Sequence, residues 1–245
     1  EAELDCIECI YEVGTDTVNP LGTEIGLAEI RQLQETWSIE VWSICADYYM
    51  VKQLVTPEGA PNKLNVQHLC WLLGQAGKLG VRYVVLPFVD SSSLKSRHAI
   101  RGVWSTLRLV ISTAERAGVE LHLETDLAAA DLVKLLRQIS HPLVRANFDI
   151  GNSASLGYDP VEELTLLAPW LGSVHIKDRA FGGGTVALGT GTANFATCFR
   201  LIKAAGFSGP LILQVARQLN MTEVELARHN RKFVEEQFMQ IPNNR

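Results

Sequence analysis

Glu124, Asp149, His175 and Gln214 each stand at or near the end of a short apolar run, in LHLE, ANFD, SVHIKD and LILQ. Two carboxylates, an imidazole and an amide are donors of the kind that share one divalent ion, and a carboxylate can also carry a proton. Position 214 matters most. A Gln carbonyl oxygen coordinates hard cations such as Mg²⁺ or Mn²⁺, but it adds no charge and cannot act as a base. A site with two formal negative charges should hold its ion more weakly than a site with three. Glu124 at a strand end could simply face solvent, and a lone histidine such as His175 is more often a satisfied core residue than a ligand. His175 and Lys177 share one strand parity, which counts against that bland reading for both. In Asn-Phe-Asp-Ile-Gly-Asn, Gly151 is expected to let the chain turn tightly so that Asn152 faces back toward Asp149.

The elements that must position these groups follow from hydrophobic patterning. Strands are expected at residues 5–11, 39–45, 82–87, 119–124, 144–150, 173–177 and 210–215. These runs are short, rich in Val, Ile and Leu, and apolar on both faces, as parallel strands buried between layers should be. Amphipathic helical patterns fill the gaps at 25–36, 65–79, 97–117, 128–139, 160–168, 195–205 and 222–238. Gly80, Gly118 and Gly206 stand where helices should stop. Alternating strands and helices imply βα units and a parallel sheet. No GxGxxG follows the first strand, which speaks against a dinucleotide-binding open sheet. Polar residues at the C-terminal ends of several different strands favour a TIM-type (β/α)8 barrel. Seven strands are one short of eight, and the chain opens almost directly on a strand, so the first βα unit is expected to be missing from this polypeptide. The chain reads as a single α/β domain over residues 1–245, with long loops at 12–24, 46–63 and 179–194 that follow strands and should cover the mouth of the site.

Composition narrows the classes. The chain has 245 residues, 22 basic against 27 acidic, for a net charge of −5. That balance argues against nucleic acid as a partner. No apolar run reaches membrane-spanning length and no signal peptide opens the chain, so neither membrane insertion nor export is expected. The five cysteines, Cys6, Cys9, Cys45, Cys70 and Cys198, show no paired zinc spacing beyond the CxxC of Cys6 and Cys9, which lies inside an apolar strand run where buried free thiols are the expected reading; reduced thiols fit a cytoplasmic protein. The segment from Phe181 to Thr192 is the glycine-richest part of the chain. It is either a flexible mouth loop or a segment that cradles a phosphate or closes over the substrate. Arg179 and Arg217 are candidate phosphate partners, each weighed against being an ordinary surface charge.

FDIGN, VHIKD and the later LGTG-x-x-NF segment resemble the xylose isomerase-like sugar-phosphate isomerases and epimerases. The resemblance runs in order through nearly the whole chain, from Cys6–Glu8 to the LILQ strand, and looks closest to the pentulose-phosphate 3-epimerase branch. It implies an eight-stranded βα barrel with a divalent metal (Mg²⁺, Mn²⁺, Co²⁺ or Zn²⁺) at its C-terminal face. Glu124, Asp149 and His175 fall on metal-ligand positions, and Gln214 falls on a fourth where the family has Glu. Asn152 falls on a substrate-contact position often held by His, Glu8 on a site-lining position, and Lys177 on one facing the substrate. Asp178 should brace the adjoining loop. A small sugar or sugar phosphate is the implied partner, and the family often forms dimers or tetramers, so a homo-oligomer is compatible with it.

Two-base epimerisation wants two acid–base groups, in the family the Glu pair that also binds metal. Here Glu124 remains and its opposite number is an amide. One-base aldose–ketose isomerisation through an enediol is therefore expected to be favoured, with Glu124 as base and Lys177 adding positive charge near the developing oxyanion. The competing readings are a non-catalytic sugar-binding or regulatory protein, supported by Gln214, and an apurinic endonuclease on the same fold. The latter would build a three-metal cluster from many histidines, whereas this chain has six.

Overall fold

The computed structural model describes residues 2–14, 19–94 and 96–241. Its strands in chain order are β1 (Cys6–Ile10), β2 (Glu40–Cys45), β3 (Tyr83–Phe88), β4 (Glu120–Thr125), β5 (Val144–Asp149), β6 (Leu171–Ile176), β7 (Asp178–Arg179), β8 (Thr185–Val186) and β9 (Leu211–Leu213). The helices are α1 (Glu24–Trp37), α2 (Tyr48–Val51), α3 (Lys63–Leu79), α4 (Arg97–Ala117), α5 (Ala129–Ile139), α6 (Ile150–Leu156), α7 (Pro160–Leu167), α8 (Phe195–Ala204) and α9 (Glu223–Met239). Among the described residues one seven-stranded sheet forms in the order β1-β2-β3-β4-β5-β6-β9, and β7 pairs with β8 in a separate antiparallel hairpin. The pairings are parallel, as expected for strands linked by helices. This is the α/β TIM-barrel class with seven main strands, as patterning and strand count led us to expect.

The chain divides into two compact units: residues 5–127 with 134–145, and residues 1–4, 128–133 and 146–245. In the first, β1 to β4 pair in sequence and the core is aliphatic, with Ile44, Val84, Leu86, Leu69, Leu72, Val103 and Leu107 all fully buried. Asn62 and Ser96 cap α3 and α4 through side-chain oxygens, while Gly80 and Gly118 end them at φ of +72° and +68°. In the second unit, β6 pairs with β5 and β9, and Phe148, Val174, Ile176, Phe199 and Ile202 are buried. Thr222 and Glu225 form a capping box that starts α9.

Three features depart from patterning. Residue 150 begins α6 instead of ending β5, because the Asp149 side chain accepts from the Asn152 N–H and caps a new helix there. The last strand is three residues long instead of six. Residues 179–194 are not a featureless loop, since they contain the β7–β8 hairpin. The 12–24 loop lies partly outside the described residues, at 15–18.

Candidate metal and substrate site

Asp149 has two oxygens with different tasks. Its Oδ1 accepts from Asn152 N at 2.7 Å and starts α6. Its Oδ2 lies 3.8 Å from His175 Nδ1 and 3.0 Å from Lys177 Nζ. The β5–β6 register causes this: Asp149 sits opposite His175 on the neighbouring strand. Both side chains are buried, and Lys177 is only 14% exposed. Gly151 was expected to permit a tight turn. Instead it lies in the first turn of α6 against β6, where a Cβ would meet Lys177 Cγ at 2.8 Å and Lys177 backbone atoms at 2.9 Å. The glycine is needed for close approach, not for a left-handed backbone.

Glu124, at the end of β4, is 4% exposed. One ligand atom each from Glu124, Asp149 and His175 lies within 4.8 Å of the other two, a spacing that lets them share a single ion. Gln214 follows β9, and its N–H donates to Ile176 O at 3.0 Å, which holds the residue beside the end of β6. Its Oε1 is buried and takes no hydrogen bond. An orphaned buried carbonyl costs free energy unless something satisfies it, and a cation would do so. Two carboxylates and an imidazole are donor types that fit a divalent ion.

Among the other expected site residues, two are joined directly. Asn152 is buried, and its Oδ1 accepts from Arg179 Nη1 at 2.8 Å, while Arg179 Nε donates to Gly183 O at 3.0 Å. Arg179 and Asn152 thus belong together beside Asp149. Arg217 does not join them, being 88% exposed at its side chain and 3.5 Å from Glu223. Glu8 lies on β1 opposite Ser43, whose hydroxyl donates to Glu8 Oε2 at 2.6 Å. Cys45, two residues on from Ser43, is fully buried, and desolvation pushes its thiol well above the usual range, with the charges of Glu8, Asp47 and Glu124 adding to the shift. It is no thiolate nucleophile.

The glycine-rich segment is anchored by the acid just ahead of it. Asp178, 1% exposed, accepts from Gly189 N and Gly191 N at 2.9 and 2.8 Å through Oδ2, and from Ala193 N at 3.2 Å through Oδ1. Those N–H groups turn inward to a carboxylate of the chain itself, and Gly191 has no room for a Cβ against that carboxylate. Asp178 braces this loop.

Two groups escaped the sequence reading. His122 sits on β4 two residues before Glu124, stacks on Tyr83 at 4.1 Å, and its Nε2 lies 2.8 Å from Glu120 Oε2. Burial holds its pKa below the ordinary value. The alternation Glu120–His122–Glu124 was the available signal. Glu163 on α7 is 7% exposed, and the Ser153 hydroxyl of α6 donates to it. Desolvation pushes its pKa up to about 7.

The family model described as the xylose isomerase-like TIM barrel matches residues 1–237. The chain belongs to that family. It is 30% identical over 111 residues to a 2-epi-5-epi-valiolone 7-phosphate 2-epimerase of Actinoplanes sp., a match covering 45% of this chain and 41% of that enzyme. It is 25% identical over 196 residues to the L-ribulose-5-phosphate 3-epimerase UlaE of Shigella flexneri serotype 5b, covering 77% of this chain and 69% of that enzyme. Among solved structures, a D-tagatose 3-epimerase-like protein superposes with a TM-score of 0.77 at 19% identity, over 97% of this chain and 89% of the other. That likeness concerns the fold.

Proposed function

We propose that the protein is a metal-dependent isomerase or epimerase of a small keto-sugar or sugar phosphate. The observation that carries this reading is the buried cluster of Glu124, Asp149 and His175 with ligand atoms within 4.8 Å. Both curated relatives reported above are named as epimerases of sugar or cyclitol phosphates, which supports chemistry at a carbon next to a carbonyl. Glu124, Asp149, His175 and the Gln214 carbonyl would hold a divalent ion, of which Mg²⁺, Mn²⁺, Co²⁺ and Zn²⁺ are the candidates. When bound, such an ion supplies Lewis-acid polarisation of the substrate carbonyl.

The remaining work falls to side chains. Glu124 takes the proton from the carbon beside the carbonyl, and burial keeps competing water away from it. Lys177 places an ammonium near the oxygen on which enediolate charge develops. Arg179 and Asn152, joined at 2.8 Å, present a fixed donor pair to substrate hydroxyls or a phosphate. Gln214 cannot return a proton on the opposite face. With Glu124 as the base, same-face isomerisation is therefore the simpler reaction, and epimerisation needs a second acid from elsewhere.

The test is a product screen over pentuloses, hexuloses and their phosphates, run with Mn²⁺ and then with EDTA. A single interconverted pair, lost with EDTA and regained with added metal, is the expected result. Ligand-induced stabilisation by a sugar with no turnover at any metal concentration would favour a binding or regulatory protein instead. Turnover that EDTA leaves untouched would remove the metal from the reaction.

A further inference from the structure

The two oxygens of the Asp149 carboxylate are engaged differently. Its Oδ1 is committed to the first turn of α6 through the Asn152 N–H at 2.7 Å. Its Oδ2 is the oxygen 3.8 Å from the His175 ring, and so the one a shared ion would use. Lys177 Nζ already lies 3.0 Å from that same Oδ2. The placement is built into the chain. Gly151 clears the space through which the lysine stem passes, since a Cβ there would collide with Lys177 Cγ and the Lys177 carbonyl. A divalent cation and an ammonium cannot both sit against one carboxylate oxygen in a buried site without strong mutual repulsion. Gln214 sharpens the conflict, because its amide adds no negative charge to offset a second cation.

We propose that Lys177 is an internal competitor for the divalent ion at Asp149 Oδ2, and that metal binding swings its ammonium from Asp149 to an oxygen of the substrate. This rests on the metal reading given above. It makes metal loading and substrate positioning one coupled event: an oxygen that accepts from Lys177 favours the ion, and the ion favours that contact. The substrates that profit carry a carbonyl, hydroxyl or phosphate oxygen within reach of a four-carbon ammonium arm.

The experiment is calorimetric titration of the full chain with Mn²⁺ alone, for the wild type, Lys177→Met, Lys177→Arg and His175→Ala. Lys177→Met keeps the apolar stem and deletes the charge, and is expected to bind Mn²⁺ about tenfold more tightly than the wild type. Lys177→Arg keeps the charge and should stay near the wild-type affinity. If Lys177→Met is unfolded by circular dichroism, Lys177→Gln makes the same comparison. Wild-type binding that is lost in His175→Ala, together with equal or weaker binding in the charge-deleted variant, overturns the competition and leaves the metal reading standing. Equal titrations for the wild type and His175→Ala overturn both. For a sugar identified by the product screen, Lys177→Met should also raise KM at saturating Mn²⁺, an effect that a purely structural lysine would not couple to tighter metal binding.

Discussion

Glu124→Gln keeps the size of the side chain and removes its ability to take a proton. At saturating metal, kcat/KM on the sugar that turns over is expected to fall by roughly 10²–10⁴, the usual weight of a general base. A fall of less than threefold in steady-state assays would exclude Glu124 as the base. The reverse change at the fourth position, Gln214→Glu, restores a third carboxylate. It is expected to tighten Mn²⁺ binding by about tenfold, because a charged oxygen replaces a neutral one in a buried donor set. Equal or weaker affinity on titration would mean that the buried Oε1 of Gln214 is not aimed at the ion. The places of Glu124 and Gln214 at strand ends were legible in the sequence because each ends an apolar run. Arg217 follows such a run as well, and its exposed side chain lies 3.5 Å from Glu223 at the start of α9.

At the scale of elements, α6 and the loop after β6 hold Asp149, Asn152 and Arg179 in place. Glu163 links α7 to α6 through the Ser153 hydroxyl, and burial pushes its pKa up from 4.5 to about 7. A raised folded-state pKa means that the protonated acid is favoured in the folded chain. Its stabilisation is complete below pH 4.5 and is lost as pH rises through about 7. Glu163→Gln mimics the protonated form. It should match the wild type at pH 4 and exceed it at pH 8 by on the order of 3 kcal/mol in urea unfolding. Equal stability of the two proteins at both pH values would show that the carboxyl is not buried as described. Asp178→Ala strips a buried acceptor from the Gly189, Gly191 and Ala193 N–H groups, and should cost about 2–3 kcal/mol while opening residues 180–193 to limited proteolysis. An unchanged cleavage pattern would contradict the bracing role. Most helix boundaries followed from periodicity and capping, as for α4, whose ends coincide with the expected 97–117. The α6 helix escaped because Gly151, Asn152 and Ser153 are poor helix formers, and its start depends on Asp149 serving as both cap and site residue. The β7–β8 hairpin escaped because Asp178 organises it from outside the glycine run.

For the whole molecule, an ion that binds only the folded chain must stabilise it. Free Mn²⁺ at 100 times its Kd should add about 2.7 kcal/mol and raise Tm, with EDTA reversing the gain. His175→Ala should abolish that gain. The α/β TIM-barrel class and family membership both followed from patterning and motifs, since seven strands with polar ends recur in order along the chain. The reaction was less legible, because one amide at position 214 separates one-base from two-base chemistry and no pattern says whether a second acid serves. The proposed role of Glu124 is to move a proton at the carbon beside a keto-sugar carbonyl. It is tested most directly by NMR of the reaction in heavy water, with the metal-loaded wild type and Glu124→Gln side by side on the sugar that turns over. Deuterium at the carbon next to the carbonyl is expected with the wild type, and neither label nor product above background with Glu124→Gln. Labelled product from Glu124→Gln at the wild-type rate would contradict it.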